Sequence, residues 1–298
     1  MNPLSNNLDQ SPEPGFILTI SCPDRPGIVH AVSQYLHEHG ANILDSAQFS
    51  DAFTGRFFMR VHFVETQKVM TLERLIAEFK SVGAEFSMDW HFYDAAIKPK
   101  VLIMVSKFGH CLNDLMFRTH SGSLPIEIAG IASNHEDYRA LSESYGTPYH
   151  YFPVVNAGDL RKQEQEEKLL QLISEQQIDL VVLARYMQIL SPKLCEALAG
   201  KAINIHHSFL PSFKGAKPYY QAHQRGVKLI GATAHYVTTD LDEGPIIEQE
   251  VQRVNHSMDP DRLAAAGRDA ECMALARAVR WHAEHRILLN GKSTVIFQ

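Results

Sequence analysis

The chain has 298 residues, 45% hydrophobic and 21% charged, enough for two modest globular domains or one large one. A formal net charge of −6 offers no basic field to nucleic acid or anionic lipid. Mean hydropathy is −0.17, and the apolar runs are too short and interrupted to span a bilayer as a helix. Residues 1–14 lack a basic n-region and an apolar h-region, and read as a loose tail rather than a signal peptide. Cys22, Cys111, Cys195 and Cys272 form no C-x-x-C pair and read as free thiols, which points to a cytoplasmic protein.

Residues 15–21 predict a short apolar strand, followed by the turn Pro23-Asp24-Arg25-Pro26-Gly27. Ile28, Val29, Val32 and Leu36 mark the apolar face of a helix that stops at Gly40. Strands over residues 43–50 and 56–64 flank a hairpin loop at 51–55. A second helix near 70–82 carries Leu72, Leu75, Ile76 and Phe79, and a strand over 85–93 closes the unit. The order βαββαβ predicts a ferredoxin-like sandwich over residues 10–94.

Ile97-Lys98-Pro99-Lys100 interrupts any helix, and the pattern then changes. Apolar strands over 101–105, 126–132, 149–154 and 178–183 alternate with helices over 112–119, 136–144 and from Asp159 to Ile173. That alternation predicts a mainly parallel sheet covered on both faces, with its ligand crevice beyond the carboxyl ends of the strands. The run 162–168 reads as the solvated face of its helix. A last helix over 261–285 packs Leu263, Ala270, Leu275 and Val279 on the sheet, with Arg262, Arg268, Arg277 and Arg280 outward. The fold class is α/β, with the second domain running from 98 to 298.

The densest cluster of chemically capable residues follows a strand at 201–205: Asn204-Ile205-His206-His207-Ser208-Phe209-Leu210-Pro211-Ser212-Phe213-Lys214-Gly215. Strand alternation puts Asn204 and His206 on one side. The second cluster, Thr238-Thr239-Asp240-Leu241-Asp242-Glu243-Gly244-Pro245, needs a tight turn that pins Asp242 at a crevice. Asn204 can donate to an oxyanion. His206 can stabilise that oxyanion when protonated or pass a proton to a leaving nitrogen, and Asp242 can raise the histidine pKa or orient a water.

Asn204-Ile205-His206, Leu210-Pro211-Ser212-Phe213-Lys214-Gly215 and Asp242-Glu243-Gly244-Pro245 together resemble the folate-dependent formyltransferase family. Gly231-Ala232-Thr233-Ala234-His235-Tyr236-Val237 and the segment from Asp179 to Ser191 are similar to its folate-loop strand and pterin-pocket wall. The resemblance covers most of residues 100–251 and implies a Rossmann-like domain with Asn204, His206 and Asp242 as catalytic trio. It also implies pterin contacts from Met187, Gln188, Ile189 and Leu190 and from Thr238, Thr239, Asp240 and Leu241. No metal or cofactor is implied; the substrate that the resemblance implies is 10-formyltetrahydrofolate. Ser21 to Gly40, followed by Ala41-Asn42-Ile43, resembles the ACT family, whose domains bind amino acids and pair through their sheets. That implies a homo-oligomer with an effector, methionine or glycine, at Asp24, Arg25, Pro26 and Gly27.

Two departures from the family pattern select the acceptor. Phe108 and His110 crowd the loop that cradles an acceptor phosphate in the glycinamide ribonucleotide formyltransferases, and His207 replaces the usual proline. With no amine held, water becomes the acceptor and formate the product, a role in one-carbon metabolism that would supply purine synthesis. The rivals are a glycinamide ribonucleotide formyltransferase and an amino-acid-sensing regulatory protein with an inactive second domain. Further residues have plainer readings: His206 and His207 face opposite ways on a strand and cannot chelate together, and His110, His120, His150 and His235 show no ligand spacing. His235 reads equally as a site residue or a backbone-bonded strand histidine. Lys214 reads as a solvated loop residue, and Asp24 and Arg25 as a local ion pair.

Overall fold

The structure is a computed structural model that describes residues 15–66, 71–153, 160–210 and 218–298. The proposed tail at 1–14, the helix start at Met70, the cap Asp159 and the segment Pro211 to Gly215 with Lys214 lie outside the described residues. The chain forms two compact units, one from Met1–Lys98 with Glu284–Gln298, the other Pro99–Ala283.

The first unit contains β1 (Phe16–Pro23), α1 (Ile28–Glu38), β2 (Ala41–Asp51), β3 (Arg56–Glu65), α2 (Leu72–Glu85) and β4 (Asp89–Asp94). The sheet is antiparallel in the order β2-β3-β1-β4. Residues at alternate positions of β3 (Phe57, Met59, Val61 and Phe63) pack with Leu18 and Ile20 against Val32, Leu36, Leu75 and Phe79 of the helices. Val29 was expected on the buried face of α1 but is 39% exposed, and Tyr35 takes that place, donating its hydroxyl to Leu75 O at 3.0 Å. Helix α2 continues through Gly83 to Glu85, so the expected strand starts only at Asp89. A side chain at Gly83 would collide with Trp90, so this glycine makes room for packing rather than ending the helix.

The opposite face of β3 explains a second difference. The second domain was expected to run to residue 298, yet the hairpin of β12 (Ile287–Asn290) and β13 (Ser293–Ile296) groups with the first unit. Leu288 and Phe297 cover Phe58, which has no exposed surface. Arg60 donates Nε and Nη2 to Glu284 O at 3.2 and 3.0 Å and Nη1 to Asp45 Oδ2 at 3.0 Å. Asn290 Nδ2 donates to Asp51 Oδ2 at 2.7 Å.

The second unit contains β5 (Lys100–Val105), α3 (His110–His120), β6 (Glu127–Ser133), α4 (Arg139–Ser144), β7 (Tyr149–Tyr151) and α5 (Leu160–Glu175). β8 (Leu180–Leu183), α6 (Pro192–Ala197), β9 (Ala202–His206), α7 (Pro218–Gln224), β10 (Leu229–Tyr236), β11 (Ile246–Arg253) and α8 (Pro260–Ala283) follow. The sheet order is β11-β10-β9-β8-β5-β6-β7. β5 to β9 are parallel, and β10 and β11 join antiparallel. Leu263, Ala270, Leu275 and Val279 are the buried side of α8, as their spacing predicts. Strand order reverses between β5 and β8, and the crevice lies beyond the carboxyl ends of β8 and β9.

Candidate active site

Asn204 and His206 are two positions apart on β9 and line one cavity of about 270 Å³. Asp242 reaches the same cavity from the loop between β10 and β11. The loop folds tightly back: Tyr236 N donates to Pro245 O at 2.9 Å, and a Cβ on Gly244 would lie 1.7 Å from Tyr236 O. A register shift at His235 marks the end of the regular β10–β11 ladder. Asp242 itself adopts φ 57°, left-handed backbone that side chains with a Cβ avoid.

That conformation sets Asp242 Oδ1 3.3 Å from His206 Nδ1 and 3.7 Å from His235 Nε2. A hydrogen bond from His206, foremost, holds the Asp242 carboxyl well below the usual carboxylate range despite its partial burial. His206 is buried, and among the described residues its Nε2 has no hydrogen-bond partner. His235 Nδ1 donates to Tyr236 O at 2.9 Å, which leaves Nε2 to receive Asn204 Nδ2 at 3.2 Å. Both readings of His235 therefore hold, since it bonds to backbone and also faces Asn204 and Asp242.

The eight predicted folate contacts, Met187 to Leu190 and Thr238 to Leu241, all line the cavity that holds the trio. Met187, Ile189 and Leu241 keep half or more of their surface exposed, an apolar rim around polar chemistry. The first of these loops is pinned from α5. Lys162 donates to Ile189 O, and Ser191 N donates to Glu166 Oε1 at 3.0 Å. The helix face expected to be merely solvated thus fixes the cavity wall. Ser106 Oγ accepts from Met187 N at 3.0 Å and donates to Asn134 Oδ1 at 2.7 Å.

The strand ends at His206, so alternation does not govern His207. Its ring centroid lies 5.1 Å from that of His206 and it lines the same cavity, contrary to the expected opposite orientation. Burial, then the nearby Arg185 and His206 charges, pushes His207 down to about 4.

Beside His207 lies a polar cluster for which spacing gave no signal. Glu271 on α8 accepts from Tyr219 Oη at 2.7 Å, and its Oε2 lies 2.7 Å from His110 Nε2. Burial raises the Glu271 carboxyl, but the His110 hydrogen bond and then the Arg185 charge bring it below its ordinary value. Among the described residues, His110, Cys111 and Glu271 form the one group whose donor atoms converge as metal ligands would. The Cys111 thiol is pushed well up by its hydrogen bond to Cys272 and by burial, so it is not a ready thiolate.

In the first unit, Asp24 and Arg25 do not pair with each other. Asp24 takes the Ser50 hydroxyl, while Arg25 Nη2 donates to Glu85 O at 2.5 Å and its guanidinium lies 4.3 Å over Phe86. Arg25, Pro26 and Gly27 line an open groove together with His30 and Gln34.

Residues 99–279 match the formyl transferase family model, and residues 16–82 match the ACT domain model. The chain belongs to the formyl transferase family. It is 54% identical over 282 residues to the formyltetrahydrofolate deformylase of Corynebacterium sp. (strain P-1), covering 95% of this chain and 98% of that one. The corresponding protein of Bacillus subtilis (strain 168) is 48% identical, over 94% of this chain and 93% of the other. The crystal structure of the Burkholderia mallei formyltetrahydrofolate deformylase superposes with a TM-score of 0.91 at 51% identity, covering 96% of this chain and all of that one. This formyl transferase family member thus pairs the family's catalytic fold with an ACT domain.

Proposed function

We propose that the protein hydrolyses 10-formyltetrahydrofolate to tetrahydrofolate and formate. The observation that carries this reading is His206, with Nδ1 against the ionised Asp242 and Nε2 buried without a partner among the described residues. A proton on Nδ1 facing Asp242 leaves the Nε2 lone pair for the reaction.

Water attacks the formyl carbon, and a C–O bond forms as its proton passes to His206 Nε2. Asn204 donates a second amide N–H to the oxyanion while the first stays on His235. Collapse breaks the C–N bond, and His206 returns the proton to the leaving nitrogen. Asp242 stabilises the imidazolium throughout. Met187 to Leu190 and Thr238 to Leu241 hold the pterin, with backbone groups on its polar edge and apolar side chains on its faces.

The ACT unit is the regulatory part of this reading. The groove at Arg25, Pro26 and Gly27, at the start of α1, offers backbone N–H groups to the carboxylate of methionine or glycine. Edge strand β2 presents exposed Ile43, Leu44 and Phe49, which suits sheet-to-sheet pairing in a homo-oligomer. Among the described residues no helix is long and apolar enough to cross a membrane. The four cysteines are free thiols, consistent with a cytoplasmic setting. Incubation of purified protein with 10-formyltetrahydrofolate and no amine acceptor tests the function. Stoichiometric formate and tetrahydrofolate are expected, and absence of formate would refute the reading.

A further inference from the structure

Arg185 lies two residues beyond the end of β8 and lines the reaction cavity, yet nothing in the proposed chemistry uses it. Three observations set it apart. Its side chain is buried, the residue being only 8% exposed. Its backbone adopts φ 66°, a left-handed region that residues other than glycine rarely occupy. Its Nε and Nη1 are buried and have no hydrogen-bond partner among the described residues.

Ion pairing with Glu271 alone does not account for this placement. The carboxylate is already engaged by Tyr219 and His110, and Arg185 Nε stands 3.5 Å from Oε2, beyond good hydrogen-bond geometry. The Phe108 ring lies 5.4 Å from the guanidinium carbon. His207 beside it is neutral above about pH 4 and supplies no competing cation. A buried guanidinium with unspent donors is costly, and its planar fork matches a carboxylate. Native structures leave few buried donors unpaired, and one that faces a reaction cavity is placed to meet a bound group.

We propose that Arg185 is a carboxylate-binding residue that holds the formate ion released at His206, on the side of the cavity where a transferase would seat its amine acceptor. This rests on the hydrolytic reading, because only hydrolysis makes a free carboxylate there. Glu271 positions the guanidinium, and its own oxygens are kept occupied by Tyr219 and His110. The arrangement gives the anionic product a counter-charge on the acceptor side of the folate.

The test is a titration of full-length protein with ¹³C-labelled sodium formate, read by NMR line broadening, with sodium chloride at equal ionic strength as control. It is done on the wild type, Arg185→Gly and Arg185→Lys. Glycine is at home at φ 66°, so the first variant removes the fork without backbone strain; the second keeps the charge and loses the fork. Saturable formate binding is expected for the wild type, with a loss of about tenfold or more in Arg185→Gly, the scale of one charged hydrogen bond. Tetrahydrofolate affinity should stay within about twofold, which separates loss of the anion site from loss of the fold. Arg185→Lys should bind formate more weakly than wild type and should show less product inhibition by formate during turnover. Formate broadening no greater than with chloride in the wild type would overturn the proposal, as would unchanged affinity in Arg185→Lys. Because the titration needs no turnover, it stands apart from the formate-release assay on which the hydrolytic reading depends.

Discussion

Asp242 meets His206 at 3.3 Å from a backbone conformation, φ 57°, that few residues with a Cβ adopt. Asparagine is among the few side chains that tolerate that region, so Asp242→Asn removes the charge while keeping the turn. Turnover should fall by about a hundredfold or more, the scale of a general acid–base group, with tetrahydrofolate still bound. Steady-state kinetics with a parallel binding titration would show it, and near-normal turnover would sink the mechanism. Asn204→Ala should cost roughly two to three orders of magnitude in turnover, as loss of an oxyanion donor does.

Gly244 sets how closely the Asp242 loop approaches β10. A methyl group there would lie 1.7 Å from Tyr236 O, a backbone atom with no room to yield. Gly244→Ala should lower stability by about 1–3 kcal/mol, as overpacking does. It should also lower turnover by moving Asp242 away from His206. Thermal denaturation and kinetics on one preparation check both effects, and a variant unaffected in both would show that the loop is not so constrained.

Two histidines make stability fall in mild acid. Burial pushes His282 down to about 4, and His207 is likewise held near 4. On unfolding each regains an ordinary value near 6.5, so the unfolded chain binds more protons between about pH 6.5 and 4. Stability should therefore drop through that window as pH falls, each unit of displacement being worth about 1.4 kcal/mol before solvent relaxation. Asp242 has a depressed pKa, so its contribution is present above the ordinary 3.8 and declines only below it. Urea melts at several pH values would resolve the window, and His282→Gln should flatten part of the slope.

The acceptor side predicts selectivity. His110 is tied to Glu271, and Phe108 lies near the Arg185 guanidinium, so the loop after β5 is not an open cradle for phosphate. Glycinamide ribonucleotide should neither inhibit hydrolysis nor be formylated. Product analysis by mass spectrometry decides this; formylated product at a rate comparable to hydrolysis would reassign the enzyme as a transferase.

Much of this architecture is written locally. Asn204 and His206 share a side because a strand has period two, and the tight Asp242-Glu243-Gly244-Pro245 turn announces itself in its residue types. The cluster around Arg185 does not, because His110 and Glu271 meet across 161 positions and no local period links them. Nor does an arginine reveal that its φ will be positive. The expectation that His207 would face away failed because it applied strand alternation one residue past the strand end. The last hairpin was equally silent about its destination, since two four-residue strands carry too little pattern to name a partner.

Regulation should separate from chemistry along the unit boundaries. A protein comprising residues 97–283, rather than one running to the C-terminus, is the fair test, since Leu288 and Phe297 would otherwise expose an apolar face without Phe58. It should retain some hydrolysis and lose any amino-acid response that the full chain shows, to methionine or glycine. A full response in that protein would put the effector site in the catalytic unit.

The hairpin that covers Phe58 also orders events during synthesis. Chains emerge from the ribosome amino end first, and domains ordinarily fold as they appear. Here the catalytic unit, Pro99–Ala283, leaves the ribosome before the residues that complete the ACT unit. Until Glu284–Gln298 appears, Phe58 lacks its cover and Arg60 its Glu284 carbonyl. The ACT unit is thus begun before the catalytic unit and finished after it.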